Sequence, residues 1–87
     1  MALSDDFKAA SDKVKTLPQK PSNEELLKLY SLFKQGSAGD CNQSAPSRLN
    51  FIARSKWEGW NSMKGTSQDD AMQQYVDLVE DLFKKLS

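Results

Sequence analysis

Leu29-Tyr30-Ser31-Leu32-Phe33-Lys34-Gln35-Gly36 is the stretch around which the chain can be organised. On a helix Tyr30 and Lys34 are four residues apart and Phe33 is three from Tyr30, so all three share one face. Two flat rings beside a cation make a seat for a purine ring and a phosphate. The same spacing also serves an ordinary buried stripe with a lysine that snorkels to water. The choice between the two depends on the rest of the chain.

Eighty-seven residues give room for one domain, taken as 1–87, with one modest core. Twelve Lys plus Arg balance twelve Asp plus Glu. A net charge of zero argues against a dedicated nucleic-acid binder, which relies on neutralising phosphates. Histidine is absent and cysteine occurs once, at Cys41. The commonest general base and any His/Cys metal set are therefore missing, and no internal disulfide can form. No metal or cofactor is expected. No apolar run approaches the length of a membrane span, and residues 1–6 do not read as a signal peptide. These features lead to the expectation of a cytoplasmic protein without stable membrane insertion.

The apolar residues Leu3, Phe7, Ala10, Val14 and Leu17 step by four and three, which predicts a first helix with Ser4 as its cap. Asp5 and Asp6 then fall in the first turn, where the dipole favours anions; capping explains the pair better than catalysis. Pro18 and Pro21 end that helix. Ser22 with Glu25 has the form of a capping box and opens a second helix over 22–37, with Gly36 and Gly39 as candidates for its stop. The second helix carries Leu26, Leu29, Tyr30, Phe33 and Lys34 on one face.

Residues 38–50 lack periodicity and form a loop long for a compact domain. A third helix over 51–63 places Ala53, Trp57 and Trp60 on one stripe, with Phe51 and Met63 packing at its ends. Gly65 breaks the chain, and Ser67 with Asp70 starts a fourth helix whose stripe is Met72, Tyr75, Val79, Leu82 and Leu86. The short first-to-second and third-to-fourth links favour antiparallel neighbours. The long loop can span ~43 Å extended, against ~24 Å for a 16-residue helix. It can therefore return along the molecule and leave the second and third helices pointing the same way. The expectation is an all-α, up-down-down-up four-helix bundle with a long loop between helices two and three.

With the helices placed, Tyr30-Ser31-Leu32-Phe33-Lys34-Gln35, Gly39-Asp40, Lys56-Trp57-Glu58-Gly59-Trp60-Asn61 and Lys64-Gly65-Thr66-Ser67 with Asp70-Ala71-Met72 closely resemble the acyl-CoA-binding protein family. The likeness runs from Phe7 to about Lys85. It implies a non-catalytic binder and carrier of medium- to long-chain acyl-CoA. Such a protein keeps an intracellular acyl-CoA pool and delivers it to lipid-metabolising enzymes. It would be a monomer in transient contact with those enzymes or with membranes.

By the resemblance, the binding set comprises Tyr30, Ser31, Leu32, Phe33 and Lys34, with Lys15, Lys56 and Tyr75. Tyr30 and Phe33 would meet the adenine end, the three lysines the phosphates, and Tyr75 would close the site. Ala10 and Leu27 would neighbour the acyl chain. The family pattern often has Tyr at the position of Phe33 and Lys at that of Ile52. It also has Arg-Pro-Gly where this chain has Ser44-Ala45-Pro46-Ser47-Arg48. Arg48 and Arg54 are the nearby cations available to stand in for the lysine. The alternative reading is a small helical protein-interaction module without acyl-CoA binding.

Overall fold

The computed structural model describes residues 2–86, and within them four helices account for the regular structure: α1 (Leu3–Lys13), α2 (Asn23–Ala38), α3 (Phe51–Asn61) and α4 (Gln68–Leu86). A single 3₁₀ turn, Val14–Thr16, extends α1 towards Pro18. Among the described residues there is no strand. Met1 and Ser87 lie outside them.

Ser22 caps α2 as a complete capping box. Its hydroxyl accepts from the Glu25 N–H at 3.2 Å, and the Glu25 carboxylate accepts from the Ser22 N–H at 2.9 Å. Ser67 likewise accepts from the Asp70 N–H at 3.1 Å at the head of α4. The first helix differs from expectation. Its cap is Ala2, without a side-chain bond, and Ser4 lies inside the first turn. Leu3 thereby joins the helix at the head of its apolar stripe. Gly36 also stays helical, and Gly39 (φ 83°) is the stop. Helix α2 continues through Gly36, and a Cβ there would lie 3.1 Å from Phe7 and 3.2 Å from Met72. The glycine serves close approach, not a turn.

Side-chain contacts fix the directions. Lys85 pairs with Glu25 at 3.2 Å, and Gln68 donates to the Gly36 carbonyl at 3.3 Å, so α2 and α4 are antiparallel. Phe7 meets Tyr75 while Lys13 lies over the Phe83 ring, so α1 and α4 run the same way. Leu26 and Leu27 share a groove with Phe51 and Ile52, while Lys34 lies over Trp60; α2 and α3 are therefore parallel. The bundle is up-down-down-up.

Its close helix pairs are α1 with α4, α4 with α2, and α2 with α3. The expectation that short links make packing neighbours does not hold for α1 and α2 or for α3 and α4. Helices α2 and α4 are the longest and carry most of the buried residues (Leu29, Leu32, Ala71, Tyr75, Val79, Leu82), so they take the centre and the shorter helices flank them. Phe51, expected to pack, is 76% exposed. It is the first residue of α3 and only borders the groove that Leu26 and Leu27 line.

The long loop is pinned from α3. Trp60 donates to the Gly39 carbonyl and Trp57 to the Gln43 carbonyl, each at 2.8 Å, and Arg54 donates to the Pro46 carbonyl at 3.1 Å. At its start Gln35, wholly buried, donates to the Asp40 carboxylate at 2.8 Å and to the Thr66 carbonyl at 2.7 Å. Asp40 also accepts from the Gly65 N–H at 3.0 Å. One amide thus ties α2 to both later loops.

Asp40 is held below its ordinary value of 3.8 by the Gln35 amide and then the Gly65 N–H. Glu25 is held below 4.5 by the Ser22 N–H and then Lys85. Folding lowers both, so their stabilisation is present above the ordinary carboxylate values and disappears as pH falls through and below them. Thermal melts across the acid range should show a declining melting temperature in the wild type and a shallower decline in Glu25→Gln/Asp40→Asn. Parallel declines would assign the acid sensitivity elsewhere.

Candidate functional site

Helices α1 and α2 meet through long side chains and leave a cavity of about 450 Å³ between them. Ser11, Val14 and Lys15 line it from α1 and its 3₁₀ turn, Pro21 from the connection, Leu26, Leu29, Tyr30 and Phe33 from α2, and Tyr75 from α4. The volume is that of a small-molecule site. Its wall is a three-ring cluster. Phe7 stacks on Phe33 with centroids 5.4 Å apart and planes at 24°, and meets Tyr75 edge-on at 5.1 Å; Phe33 and Tyr75 are 5.9 Å apart. Phe7 and Tyr75 are buried, whereas Phe33 is 38% exposed and presents ring surface to the opening. Burial pushes the Tyr75 hydroxyl pKa up, so the phenol stays neutral.

The cations stand round this apolar seat. Lys15 lines the cavity from the α1 side. On the other side the Lys56 ammonium lies 5.3 Å from the centroid of the Tyr30 ring, and the Lys34 ammonium 4.7 Å from that of Trp60. Each lysine is thus held over a ring rather than in an ion pair, so its hydrogen-bond donors are not committed to a carboxylate. Arg54 differs. It is engaged with Glu58 (3.1 Å), the Pro46 carbonyl and the Trp57 ring (5.2 Å), and so braces the loop rather than replacing a cation at Ile52.

Of the residues singled out from the sequence, Lys15, Tyr30, Phe33 and Tyr75 meet at one cavity, with Lys56 on Tyr30 and Lys34 one turn beyond it. Ser31 and Leu32 are buried away from the opening. The Ser31 hydroxyl donates to the Leu27 carbonyl at 2.8 Å and abuts Gly59, where α2 and α3 approach closely. Ala10 lines a different groove, between α1 and α4, with Val76 and Val79. Leu27 lines a groove between α2 and α3 with Leu26, Phe51 and Ile52. Leu26 borders both this groove and the main cavity. Sequence reasoning missed Ser11 and Pro21 as cavity lining. Ser11 is one residue off the apolar stripe, and no periodic signal marks it.

The family profile described as Acyl CoA binding protein matches residues 4–79. The chain belongs to the acyl-CoA-binding protein family. It is 51% identical over 79 residues to the acyl-CoA-binding protein of Dictyostelium discoideum, an alignment covering 91% of this chain and 94% of the relative. It is 46% identical over 83 residues to the acyl-CoA-binding protein homolog of Drosophila melanogaster, covering 95% and 96%. The crystal structure of Oryza sativa acyl-CoA-binding protein 2 matches with a TM-score of 0.92 at 36% identity, covering 95% of this chain and 90% of that one. The acyl-CoA-binding protein structure from Moniliophthora perniciosa gives 0.91 at 36%, covering 100% and 85%.

The Ser31–Gly59 contact yields a sign test. Glycine inside a helix costs about 1 kcal/mol relative to alanine. In the wild type, Gly59→Ala should fail to recover this, because the new methyl meets the Ser31 hydroxyl. In a Ser31→Ala background it should stabilise by about 1 kcal/mol. Urea unfolding of the four proteins measures the coupling; equal effects in both backgrounds would remove this contact as the reason for the glycine.

Proposed function

We propose that the protein binds medium- to long-chain acyl-CoA thioesters one to one and carries them unchanged in the cytoplasm, as a monomer that hands them to lipid-metabolising enzymes. The observation that carries this reading is the α1–α2 cavity: an apolar, ring-walled seat with lysines on opposite sides, in a chain of this family.

The ligand is an anion at one end and a hydrocarbon at the other. Tyr30 and Phe33 offer ring faces to the adenine. Lys15, Lys34 and Lys56 supply point charges to the phosphates, each charged hydrogen bond being worth about 1.5–3 kcal/mol. Tyr75 closes the floor as a neutral phenol. Ser31 and Leu32 act from beneath, fixing α2 against α3 and the core so that Tyr30, Phe33 and Lys34 keep their places. The acyl chain has an apolar path past Leu26 to Leu27, whereas Ala10 lies off that path in the α1–α4 groove. Each methylene removed from water adds about 0.8 kcal/mol, so chain length soon outweighs any one lysine.

Binding and delivery need no nucleophile–base pair. The chain has no histidine, and among the described residues no acidic or sulfur cluster suits a metal ion. No helix among them is long and apolar enough to cross a membrane.

Calorimetric titration with palmitoyl-CoA, beside CoA and palmitate, tests the reading. The thioester should bind one to one and each fragment far more weakly. Lys34→Ala should weaken thioester binding by about tenfold, the equivalent of ~1.5 kcal/mol. Tyr30→Ala should weaken it while the protein still melts cooperatively. No heat with any of the three ligands would overturn the assignment.

A further inference from the structure

Trp60 is 2% exposed and does not line the α1–α2 cavity, so a ligand seated there has almost none of its surface to touch. Its ring nevertheless carries one of the cations of the site. The Lys34 ammonium lies 4.7 Å from the ring centroid. Lys34 is half-buried, whereas Lys15 and Lys56 are exposed. Of the three lysines it is the one that the protein itself covers most.

The ring is aimed from elsewhere in the chain. Its indole N–H donates to the Gly39 carbonyl at 2.8 Å, which fixes the side chain against the start of the long loop. That acceptor is held in turn. The Gly39 N–H donates to the Gln35 carbonyl at 3.0 Å, and the next residue, Asp40, accepts from the buried Gln35 amide at 2.8 Å and from the Gly65 N–H at 3.0 Å. A buried ring whose N–H has a fixed acceptor presents its face in one direction. Tryptophan also gives a cation the strongest hold of the aromatic side chains. An ammonium seated on it has three N–H donors, and those on its outer side stay free for an anion. Without such a seat the flexible lysine stem must be ordered by the ligand, and the lost rotamer freedom weakens binding.

We infer that Trp60 is a positioning residue of the site: it holds the Lys34 ammonium beside the cavity before a ligand arrives, and acts on binding through that lysine. The inference rests on the acyl-CoA reading and adds to it a residue that the ligand does not touch. Lys56 is held differently. Its ring partner, Tyr30, lines the cavity, so a change at Tyr30 alters the wall as well as the cation. At Trp60 the two effects separate, because the ring is outside the wall.

Calorimetric titration of the full chain with palmitoyl-CoA tests it, over the wild type, Trp60→Met, Lys34→Met and the double variant. Trp60→Met should weaken binding about fivefold when Lys34 is present. Once Lys34 is replaced, the same change should cost no more than about twofold. Trp60→Phe, which keeps a ring face, should lose less than Trp60→Met; an equal loss would overturn the hold by the ring. Equal losses from Trp60→Met in both Lys34 backgrounds would overturn the inference and make Trp60 plain core, while wild-type binding kept the thioester reading. No binding by the wild type would overturn both. A measurement on the ligand-free wild type needs no Trp60 variant to fold. The ε-methylene protons of Lys34, identified by their loss in Lys34→Met, should resonate upfield of those of other lysines through the indole ring current. An unshifted Lys34 signal would overturn the inference whatever the titrations gave.

Discussion

The contact of Phe7, Phe33 and Tyr75 is the constraint on which the rest of the molecule depends. One ring comes from each of α1, α2 and α4, and the centroids lie between 5.1 and 5.9 Å apart. Aromatic pairs of this kind contribute about 0.5–1.5 kcal/mol each beyond the area they bury. They also set a spacing. Because α1 reaches α2 through rings rather than by close backbone packing, the two helices stand apart and the space between them becomes the cavity. Gly36 eases the arrangement from behind: a Cβ there would crowd Phe7 and Met72 at 3.1–3.2 Å. The same cluster serves as core on its buried side and as cavity wall on its open side. Phe33 has both, which is why it alone of the three is substantially exposed.

Electrostatics follows from this geometry. Lys34 and Lys56 rest on Trp60 and Tyr30, where a ring's negative face gives a weak hold. A carboxylate partner would bind an exposed lysine only weakly too, but it would set a negative charge, repulsive to any incoming anion, beside the opening. Resting the ammonium on a ring keeps the cation near the opening without that repulsion. Arg54 shows the contrast. With Glu58 and the Pro46 carbonyl as partners it serves the loop, so Arg54 does not stand in for the cation that the family pattern often has at the position of Ile52.

The boundaries of α2 and α4 were legible because their starts are encoded by local chemistry, Ser22 with Glu25 and Ser67 with Asp70. The relative direction of α2 and α3 was legible from the reach of the loop. Which helices pack was not. Link length constrains how the chain returns, whereas neighbours are chosen by which apolar faces are broad enough to occupy the centre, a property of the whole set. Gly36 read as a stop because its reason for being glycine lies in Phe7 and Met72, far away in sequence. That Tyr30, Phe33 and Lys15 come together at one cavity was foreshadowed by the combined motifs. Ser31 and Leu32 belong to the same run but face inward, as alternate sides of any helix must. Gln35 carried no sign of its bracket to Asp40 and Thr66, since buried amides and exposed ones look alike in a sequence.

The order α1–α4–α2–α3 has a consequence for how ligand and fold depend on each other. Lys15 and Lys56 belong to the two flanking helices, joined only through the central pair. A thioester held by Lys15, Tyr30 and Lys56 would bridge α1 to α3 by a route the apolar core does not provide. Ligand that binds only the native state adds its binding free energy to stability. In a cooperatively folding domain that gain is shared by the whole native state, the outer helices, which bury the least, included. The cavity between α1 and α2, lined by Lys15 and Tyr30, is the place where such a cross-tie would form.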